Sequence, residues 1–255
     1  MPDITRYPLA VFVLSFLMLW LAARLGELLH GKQDPVPGEA RGDFEIVLAA
    51  TLTLLGLVIG FTFSMAINRY DQRKNYEEGE ASAIGTEYVR ANLLPAADAA
   101  RVQSLLKLYL QQRVQFYLAH DPEELSRANA ATAALQGQLW SAVVPTAAAQ
   151  PTPIVGLAVA GMNDVLSSQG YAQAAYWNRI PVPAWLLMGA IALCCSALLG
   201  YGSRSTKAGA KLLLVLPLVV SIAFALIADI DAPRHGFITV RPQNLDSLVE
   251  SLRAP

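Results

Sequence analysis

The stretch from Ile46 to Pro95, IVLAATLTLLGLVIGFTFSMAINRYDQRKNYEEGEASAIGTEYVRANLLP, decides the fold of this chain. Its first part, Ile46 to Ile67, carries no charged residue. A helix needs about 20 apolar residues to cross the roughly 30 Å hydrocarbon core of a membrane, and this segment is long enough. The charged residues that follow are compatible with a helix until Pro95. The sequence therefore predicts one helix that crosses a membrane and continues into water.

The composition supports a membrane protein. The chain has 255 residues, of which 54% are hydrophobic and 15% are charged, whereas soluble domains carry about 25% charged residues. The net charge of -1 gives no support to a nucleic-acid partner. Cys194 and Cys195 are adjacent in an apolar run, and we interpret them as packing residues rather than as a redox or metal pair.

Four apolar segments are predicted to span the membrane. A signal peptide is the competing interpretation of the first segment, but its apolar run is long and no clear small-x-small cleavage site follows it. Four spans place both termini on the same side of the membrane. The predicted spans are Pro8 to about Leu29, Ile46 to Ile67, Pro181 to Tyr201, and Leu212 to Ala228.

The distribution of basic residues predicts the orientation. The loop Ser203 to Lys211 carries three basic residues, Arg204, Lys207 and Lys211, and the other side carries more, with a dense cluster after the second span. Because cytoplasmic loops are enriched in lysine and arginine, the termini are predicted to be cytoplasmic. The predicted parts are transmembrane helices 1 and 2 (1–67), a helical cytoplasmic domain (68–180), transmembrane helices 3 and 4 (181–230) and a cytoplasmic C-terminal segment (231–255).

The soluble part is predicted to be helical. Asp121-Pro122 and Thr152-Pro153 both combine a side chain that caps a helix with proline at the first helical position. The fold class is therefore an all-α membrane protein with four transmembrane helices and a helical cytoplasmic domain. Further predictions are a helix over Ala97–Ala119, a helix from Asp121 to about Val144, a loop over Pro145–Pro151, a helix from Thr152 to about Trp177, a short extended piece over Phe237–Val240, and a last helix capped by Asn244.

No motif of a known catalytic chemistry occurs in the chain. There is no glycine-rich phosphate loop, no H-E-x-x-H, no C-x-x-C and no G-x-S-x-G. We therefore expect no enzyme activity, no cofactor and no metal site. Asp229 and Asp231 directly follow the fourth span, but two carboxylates are too few to indicate a calcium site. We expect them to act as charges at a helix end.

A row of glutamates follows the second span. A di-metal site on helices would need histidines three residues after such carboxylates, and the sequence has none there. We therefore expect a charged face that is solvated or lies between helices and pairs with Arg73, Lys74 or Arg90. The glutamates are Glu77, Glu78, Glu80 and Glu87.

The second span carries features of a pore-lining helix. Gly56, Gly60 and Ser64 form a row of small residues, which permits close helix packing and is equally compatible with a pore. Phe61 and Phe63 are two residues apart, so both cannot face one lumen, and a ring of aromatic side chains can form a hydrophobic constriction. Contact with lipid or with neighbouring helices remains the alternative for either phenylalanine. The residues predicted to line the pore are Leu57, Gly60, Phe61, Ser64, Met65 and Asn68.

Charged residues lie where the second span leaves the membrane. In an oligomer, Arg69, Asp71 and Arg73 would form rings of charge at a vestibule. Because both signs occur among them, they do not indicate the sign of a permeant ion. Ordinary anchoring of the span at the membrane surface is an interpretation at least as good for Arg69, Arg73 and Lys74.

An ordered series of short motifs resembles a known family. The motifs are Leu54-Leu-Gly-Leu-Val-Ile-Gly-Phe-Thr-Phe-Ser-Met-Ala66, Arg69-Tyr-Asp-x-Arg73, Glu80-Ala-x-Ala-Ile-Gly-Thr86, Arg90-x-x-Leu-Leu-Pro95 and Pro233-Arg-His-Gly-Phe-Ile-Thr-Val240. Together they resemble the bacterial bestrophin-like family of membrane proteins, from the second span to about residue 252.

The resemblance implies an ion channel. Bestrophins are oligomeric channels, typically pentamers, whose second span lines the pore and forms a hydrophobic neck. The resemblance thus implies a homo-oligomer in the bacterial inner membrane, in contact with lipid and with a permeant inorganic ion. Anions such as chloride are the commoner permeant ions of the family, but cation-selective bacterial relatives exist, so the sign stays open. Phe61 is the neck candidate. Calcium-gated bestrophins carry an acidic cluster after the fourth span, and the presence of only Asp229 and Asp231 argues against calcium gating.

Two functions from different classes follow from the sequence. The first is a passive oligomeric channel with the second span around its axis. The second is a membrane-anchored scaffold or regulatory subunit that binds a cytoplasmic partner through the helices between Ala97 and Trp177. The first predicts ion flux in liposomes, and the second predicts no flux and a partner that can be cross-linked to those helices.

Overall fold

The computed structural model describes residues 7–30, 38–203 and 213–253, and these residues form helices joined by short connections, without any β-strand among them. The predicted all-α class is confirmed. The helices are α1 (Pro8–His30), α2 (Gly38–Arg90), α3 (Ala96–Leu118), α4 (Pro122–Ala149), α5 (Pro153–Trp177), α6 (Val182–Gly202), α7 (Val215–Asp231) and α8 (Gln243–Ser251), and a 3-10 turn (Ala91–Leu93) follows α2.

The helix α2 is continuous from the apolar segment into the charged one, as predicted. It has 53 residues, which at 1.5 Å per residue gives a rod of about 80 Å. No proline lies within it, and the 3-10 turn and Pro95 follow it directly. A single helix therefore carries both the candidate membrane span and the glutamate row.

Three helical stretches among the described residues are long and apolar enough to cross a membrane, and they lie within Pro8–Leu29, Arg41–Leu93 and Pro153–Gly202. The helix α7 has 17 residues, fewer than a span usually needs, so the count of four spans stays a prediction. Leu212, where the fourth span was predicted to begin, and the basic residues Arg204, Lys207 and Lys211 lie outside the described residues.

The chain divides into two compact units. The first unit comprises the described residues within Met1–Arg69 and Arg179–Thr239, and the second those within Tyr70–Asn178 and Val240–Pro255. The helix α2 contributes to both units. In the second unit the core is built from apolar side chains that are essentially inaccessible to solvent: Ile84, Val102, Leu106, Leu139, Met162 and Leu245.

In the first unit, α1 and α6 approach each other through glycines. A Cβ atom on Gly26 would overlap the backbone of Ala197, and one on Gly200 would overlap the backbone of Ala23. Small residues at such crossings let helix backbones come close, and the packing between them replaces the hydrophobic effect that lipid cannot supply. These two glycines therefore fix how closely α1 and α6 pack.

The predicted helix starts in the second unit are confirmed. The Asp121 side chain accepts a hydrogen bond from the backbone N–H of Glu124 at 2.7 Å, and the Thr152 hydroxyl accepts one from Val155 N–H at 3.3 Å. Each bond satisfies a backbone donor that the first turn of a helix leaves without an intrahelical partner.

The predicted end of α4 was wrong, because the helix continues past Val144 to Ala149 with Pro145 in its interior. Proline removes one helical hydrogen bond, but the following turn is held from outside the helix. The Thr146 hydroxyl donates to the Asp98 carboxylate of α3 at 2.6 Å, and Val143 is fully buried. Tertiary contacts therefore override the local signal of the proline.

The predictions for the C-terminal segment were also wrong in detail. Asn244 does not cap α8 but lies within it, and its backbone N–H and side-chain amide both donate to the Glu77 carboxylate, at 2.9 and 2.6 Å. A second backbone N–H, that of Leu245, donates to the same carboxylate at 3.0 Å. The helix N-terminus is thus capped by a residue distant in sequence. The stretch predicted to be extended begins with bends at Phe237 and Ile238, and Thr239 and Val240 have no regular secondary structure.

Candidate ion pathway

One face of the apolar half of α2 is not covered by the rest of the described chain. The opposite face is buried, with Leu55 at 2%, Thr62 at 4% and Ala66 at 0% exposure. Phe61 is 66% exposed and Leu57 is 53% exposed. All six residues predicted to line a pore are exposed in the single chain: Leu57, Gly60, Phe61, Ser64, Met65 and Asn68.

The row of small residues on α2, Gly56, Gly60 and Ser64, is not covered by other parts of the described chain. No atom beyond the helix's own neighbouring backbone lies within 4 Å of a Cβ built on Gly56 or on Gly60. These glycines therefore do not serve helix packing within the described chain, in contrast to Gly26 and Gly200. The row is available to a second copy of the chain or to water.

The two phenylalanines of the span lie in different environments. Phe61 belongs to the exposed face, and Phe63 is half-buried. Their spacing of two residues places them about 200° apart around a helix with 3.6 residues per turn. If several copies of α2 surround one axis, only one of the two phenylalanines of each copy can therefore point toward that axis.

The threonine hydroxyls of the span are engaged by the helix itself. Thr51 donates to Val47 carbonyl oxygen at 2.6 Å, and Thr62 donates to that of Val58 at 2.8 Å. A hydroxyl that donates to its own helix satisfies its hydrogen in an apolar environment. These side chains can therefore lie in the membrane without a partner from elsewhere.

The charges at the end of the span are distributed unequally between the interior and the surface. Arg69 is only 14% exposed in its side chain, and its Nη1 atom lies 3.7 Å from the Asp231 carboxylate. Arg73 is 2% exposed. Of the three residues predicted to form vestibule charges, Asp71 is the one that is exposed. The spacing contained this signal, because Arg73 lies seven residues after the buried Ala66 and seven before the buried Glu80.

Asp231 is a buried acceptor at the end of α7. It accepts a hydrogen bond from the backbone N–H of Ile180 at 3.1 Å, and Arg179 Nε lies 3.4 Å from it. Together with Arg69, two guanidinium groups therefore surround one carboxylate that is 1% exposed. Because a buried charge needs partners of opposite sign, this cluster accounts for the placement of both arginines.

Asp229 holds the turn that follows α7. Its two carboxylate oxygens accept hydrogen bonds from the backbone N–H groups of Phe237 at 2.7 Å and Ile238 at 2.9 Å. A Cβ on Gly236 would come within 2.5 Å of the Asp229 carbonyl oxygen, so this glycine allows the turn to close. Among the described residues, no group of three histidine, cysteine, aspartate or glutamate side chains is placed to hold a metal ion.

The glutamate row on α2 is mostly buried in the second unit. Glu80 is bound by Arg113 of α3 through both carboxylate oxygens and by the Tyr117 hydroxyl at 3.0 Å. Burial raises the pKa of Glu80, and the adjacent Arg113 opposes this shift. The expected pairing of Glu80 with Arg73, Lys74 or Arg90 was wrong, because its partner lies 33 residues further along the chain.

A groove of about 340 Å³ lies between α4 and α5 in the second unit. Its walls are neutral, and several of them are amides: Leu125, Asn129, Thr132, Ala133, Gln136, Gln169, Gln173 and Trp177 line it. The Gln136 side-chain amide donates to that of Gln169 at 3.3 Å across the groove. Nothing in the sequence pattern pointed to this groove, because its residues come from two helices and share no motif.

The fold matches solved structures of bacterial membrane proteins. A crystal structure of a bacterial bestrophin homologue from Klebsiella pneumoniae, solved by zinc phasing, has a TM-score of 0.65 and 16% identity, over 95% of this chain and 96% of that one. A single-substitution variant of the Klebsiella homologue has a TM-score of 0.67 and 14% identity, over 96% and 94%. The molecule is thus a helical membrane protein with the fold of the Klebsiella bestrophin homologue.

The family follows from the sequence itself. A family model of the Bestrophin-like domain matches residues 9–245, so the chain belongs to the Bestrophin-like family, as the motifs indicated. No curated protein sequence matches the chain.

Proposed function

We propose that this protein is an oligomeric ion channel of the bacterial inner membrane in which several copies of α2 surround a common axis. The observation that carries the proposal is the uncovered face from Leu57 to Asn68 on a span that continues into the second unit. Membership of the Bestrophin-like family supports a channel rather than an enzyme.

The proposed topology follows the charge distribution. Residues 68–180 and 231–255 are cytoplasmic, together with both termini, and residues 1–67 and 181–230 supply four spans. The exposed leucines of α1, among them Leu9 at 68% and Leu25 at 60%, suit contact with lipid tails.

Phe61 is the proposed neck of the channel. A ring of exposed phenylalanines narrows a pore to an apolar constriction that excludes water when it closes. Ser64, about one turn further along the same face, is small and leaves wider space there. Phe61 is therefore the side chain whose size should limit conduction most.

The proposed permeant ion is chloride, because bestrophins more commonly conduct anions. The proposed assembly is a pentamer, because bestrophins typically form pentamers. The exposed Asp71 would place a ring of negative charge beyond the span, which opposes anions. The flux assay for this proposal therefore compares chloride with sodium and potassium in the same liposomes.

Cysteine scanning tests the proposed lining. In a background with Cys194 and Cys195 replaced by serine, single cysteines from Leu54 to Asn68 are treated with a charged, membrane-impermeant thiol reagent in liposomes. Reaction is expected at positions 57, 60, 61, 64, 65 and 68, with the buried positions Leu55 and Ala66 as controls. Uniform protection along the segment, or particle images without an opening on the symmetry axis, would exclude a pore along α2.

A scaffold function is the second candidate, and the α4–α5 groove favours it. Trp177 lines the groove and is 75% exposed, and Tyr171 is 60% exposed. Exposed aromatic side chains are enriched at protein interfaces. A protein that carries no flux for any of the three ions, and that cross-links to a cytoplasmic protein through a photoreactive residue at position 177, would establish this function instead.

A further inference from the structure

Glu87 is a buried acid that neither the channel proposal nor the scaffold proposal uses. It lies on the last turn of α2 in the second unit, with 0% exposure. Neither of its carboxylate oxygens has a hydrogen-bond partner among the described residues. An ionised carboxylate is costly to bury without a partner, and such a group tends to become neutral instead.

The helix α5 lies directly against this carboxyl group. A Cβ on Gly161 would overlap Glu87 Oε2 and lie 2.8 Å from Arg90 Nη1. Gly161 therefore gives the carboxyl group the space it occupies. Any change in the charge or hydration of Glu87 would act on the contact between the end of α2 and the middle of α5.

Two charged groups act on Glu87, one from each helix. Arg90 lies one turn further along α2, and Asp164 lies on α5, one turn beyond Gly161. Arg90 Nη1 is 3.8 Å from the Asp164 carboxylate. When Glu87 is neutral, the Arg90 guanidinium compensates the negative charge of Asp164 alone. With an ionised Glu87, two carboxylates share one guanidinium, and the like charges on α2 and α5 repel each other.

We propose that Glu87 is a proton-binding site that controls the packing of α5 on the cytoplasmic end of α2. The protonated carboxyl group allows the close contact at Gly161, and loss of the proton draws water to the carboxylate and loosens that contact. The ligand is a proton and the site is independent of what the membrane part conducts. If α2 also lines a pore, the site connects internal pH to the pore helix.

The electrostatic surroundings of Glu87 place the loss of its proton near neutral pH. Burial raises the pKa of Glu87 to about 8, Arg90 opposes the shift and Asp164 adds to it. Because the pKa is higher in the folded state than in the unfolded one, the folded state binds more protons in the interval between the two values. Stability contributed by the protonated group therefore falls as pH rises through that interval and is lost above the folded pKa.

Hydrogen exchange of the purified protein in detergent tests the proposal. Exchange of peptides from α5 is measured at roughly pH 6 and roughly pH 9 and corrected for the intrinsic pH dependence of exchange. In the wild type, peptides around Gly161 are expected to exchange severalfold faster at the higher pH. The variant Glu87→Gln keeps the shape of the side chain and cannot ionise. In this variant the peptides around Gly161 are expected to exchange slowly at both pH values.

Two further variants and a spectroscopic measurement complete the test. Glu78→Gln removes an exposed acid of the same helix and should behave as the wild type, and Asp164→Asn should move the transition to lower pH. Infrared difference spectra between the two pH values should show the loss of a carboxylic acid band in the wild type and not in Glu87→Gln. The proposal is overturned if that band is absent from the wild type or if Glu87→Gln keeps the pH-dependent exchange.

Discussion

Single residues on α2 have roles that their neighbours in sequence do not share. Phe61 is 66% exposed and Phe63 is half-buried, although both are phenylalanines of the same span. Arg69 and Arg73 are turned to the interior and Asp71 to the surface. The side of the helix on which a residue lies, rather than its type, therefore decides what it does.

Phe61→Ala is expected to increase ion conduction severalfold, because it removes the ring that narrows the proposed pore. The measurement is ion flux from liposomes that contain equal amounts of purified protein. Phe63→Ala is the matched control and should change conduction little. Equal conduction by the wild type and Phe61→Ala, in liposomes that do conduct, would remove Phe61 from the neck.

Arg113→Leu is expected to destabilise the second unit by about 3–5 kcal/mol, because it leaves the Glu80 carboxylate buried without its counter-charge. The measurement is denaturant unfolding of the purified protein in detergent, followed by the loss of helical signal from the second unit. The double variant Arg113→Leu, Glu80→Leu should recover part of the loss, since neither charge is then left alone. A single variant as stable as the wild type would show that the pair is not buried in solution.

At the scale of elements, the continuity of α2 from the apolar into the charged segment could be predicted, because its signals are local, but its start at Gly38, before the predicted span from Ile46, could not. An uncharged run, a charged helix-compatible run and a proline stand in sequence, and the helix ends at Arg90, before Pro95. The N-terminal caps of α4 and α5 could be predicted for the same reason, since each cap and its proline are adjacent.

The elements that sequence reasoning misplaced depend on distant contacts. The end of α4 is set by Asp98 on another helix, and the start of α8 by Glu77, 167 residues before Asn244. The burial of Arg73 was missed as well, because its charge suggested a surface position. A single sequence shows which residues can pair but not which of several candidates the fold brings close.

The α1–α6 contact gives a prediction at this scale. Gly200→Ala places a methyl group where the Ala23 backbone lies, and we expect a loss of about 1–3 kcal/mol through overpacking. Gly189→Ala on the same helix has open space around its Cβ and is expected to be neutral. Thermal unfolding in one detergent compares the two, and a loss of equal size in both would show that α1 and α6 do not pack through Gly200.

At the scale of the whole molecule, the fold and the family could be recognised from the ordered motifs, and the assembly could not. The uncovered face of α2 and the open row at Gly56 and Gly60 show where contacts of the single chain end. How many copies meet there depends on angles between surfaces, which no local pattern encodes.

Asp71→Asn is expected to raise the permeability to chloride relative to sodium in the assembled channel, because it neutralises a ring of charge at the end of the span. The measurement is the reversal potential under a salt gradient in planar bilayers. Glu123→Gln, which neutralises an exposed acid of α4, serves as control. A reversal potential that moves equally in both variants would mean that Asp71 acts only through the net charge of the protein.

The unbroken α2 is also mechanically stiff. From Ile67 to its end at Arg90 the helix extends roughly 35 Å at 1.5 Å per residue, so a tilt of about 5° sweeps its tip through roughly 3 Å. With no proline along this length, a force applied at Arg90 turns the helix about Ile67 as one stiff body, without an intermediate joint to absorb the motion.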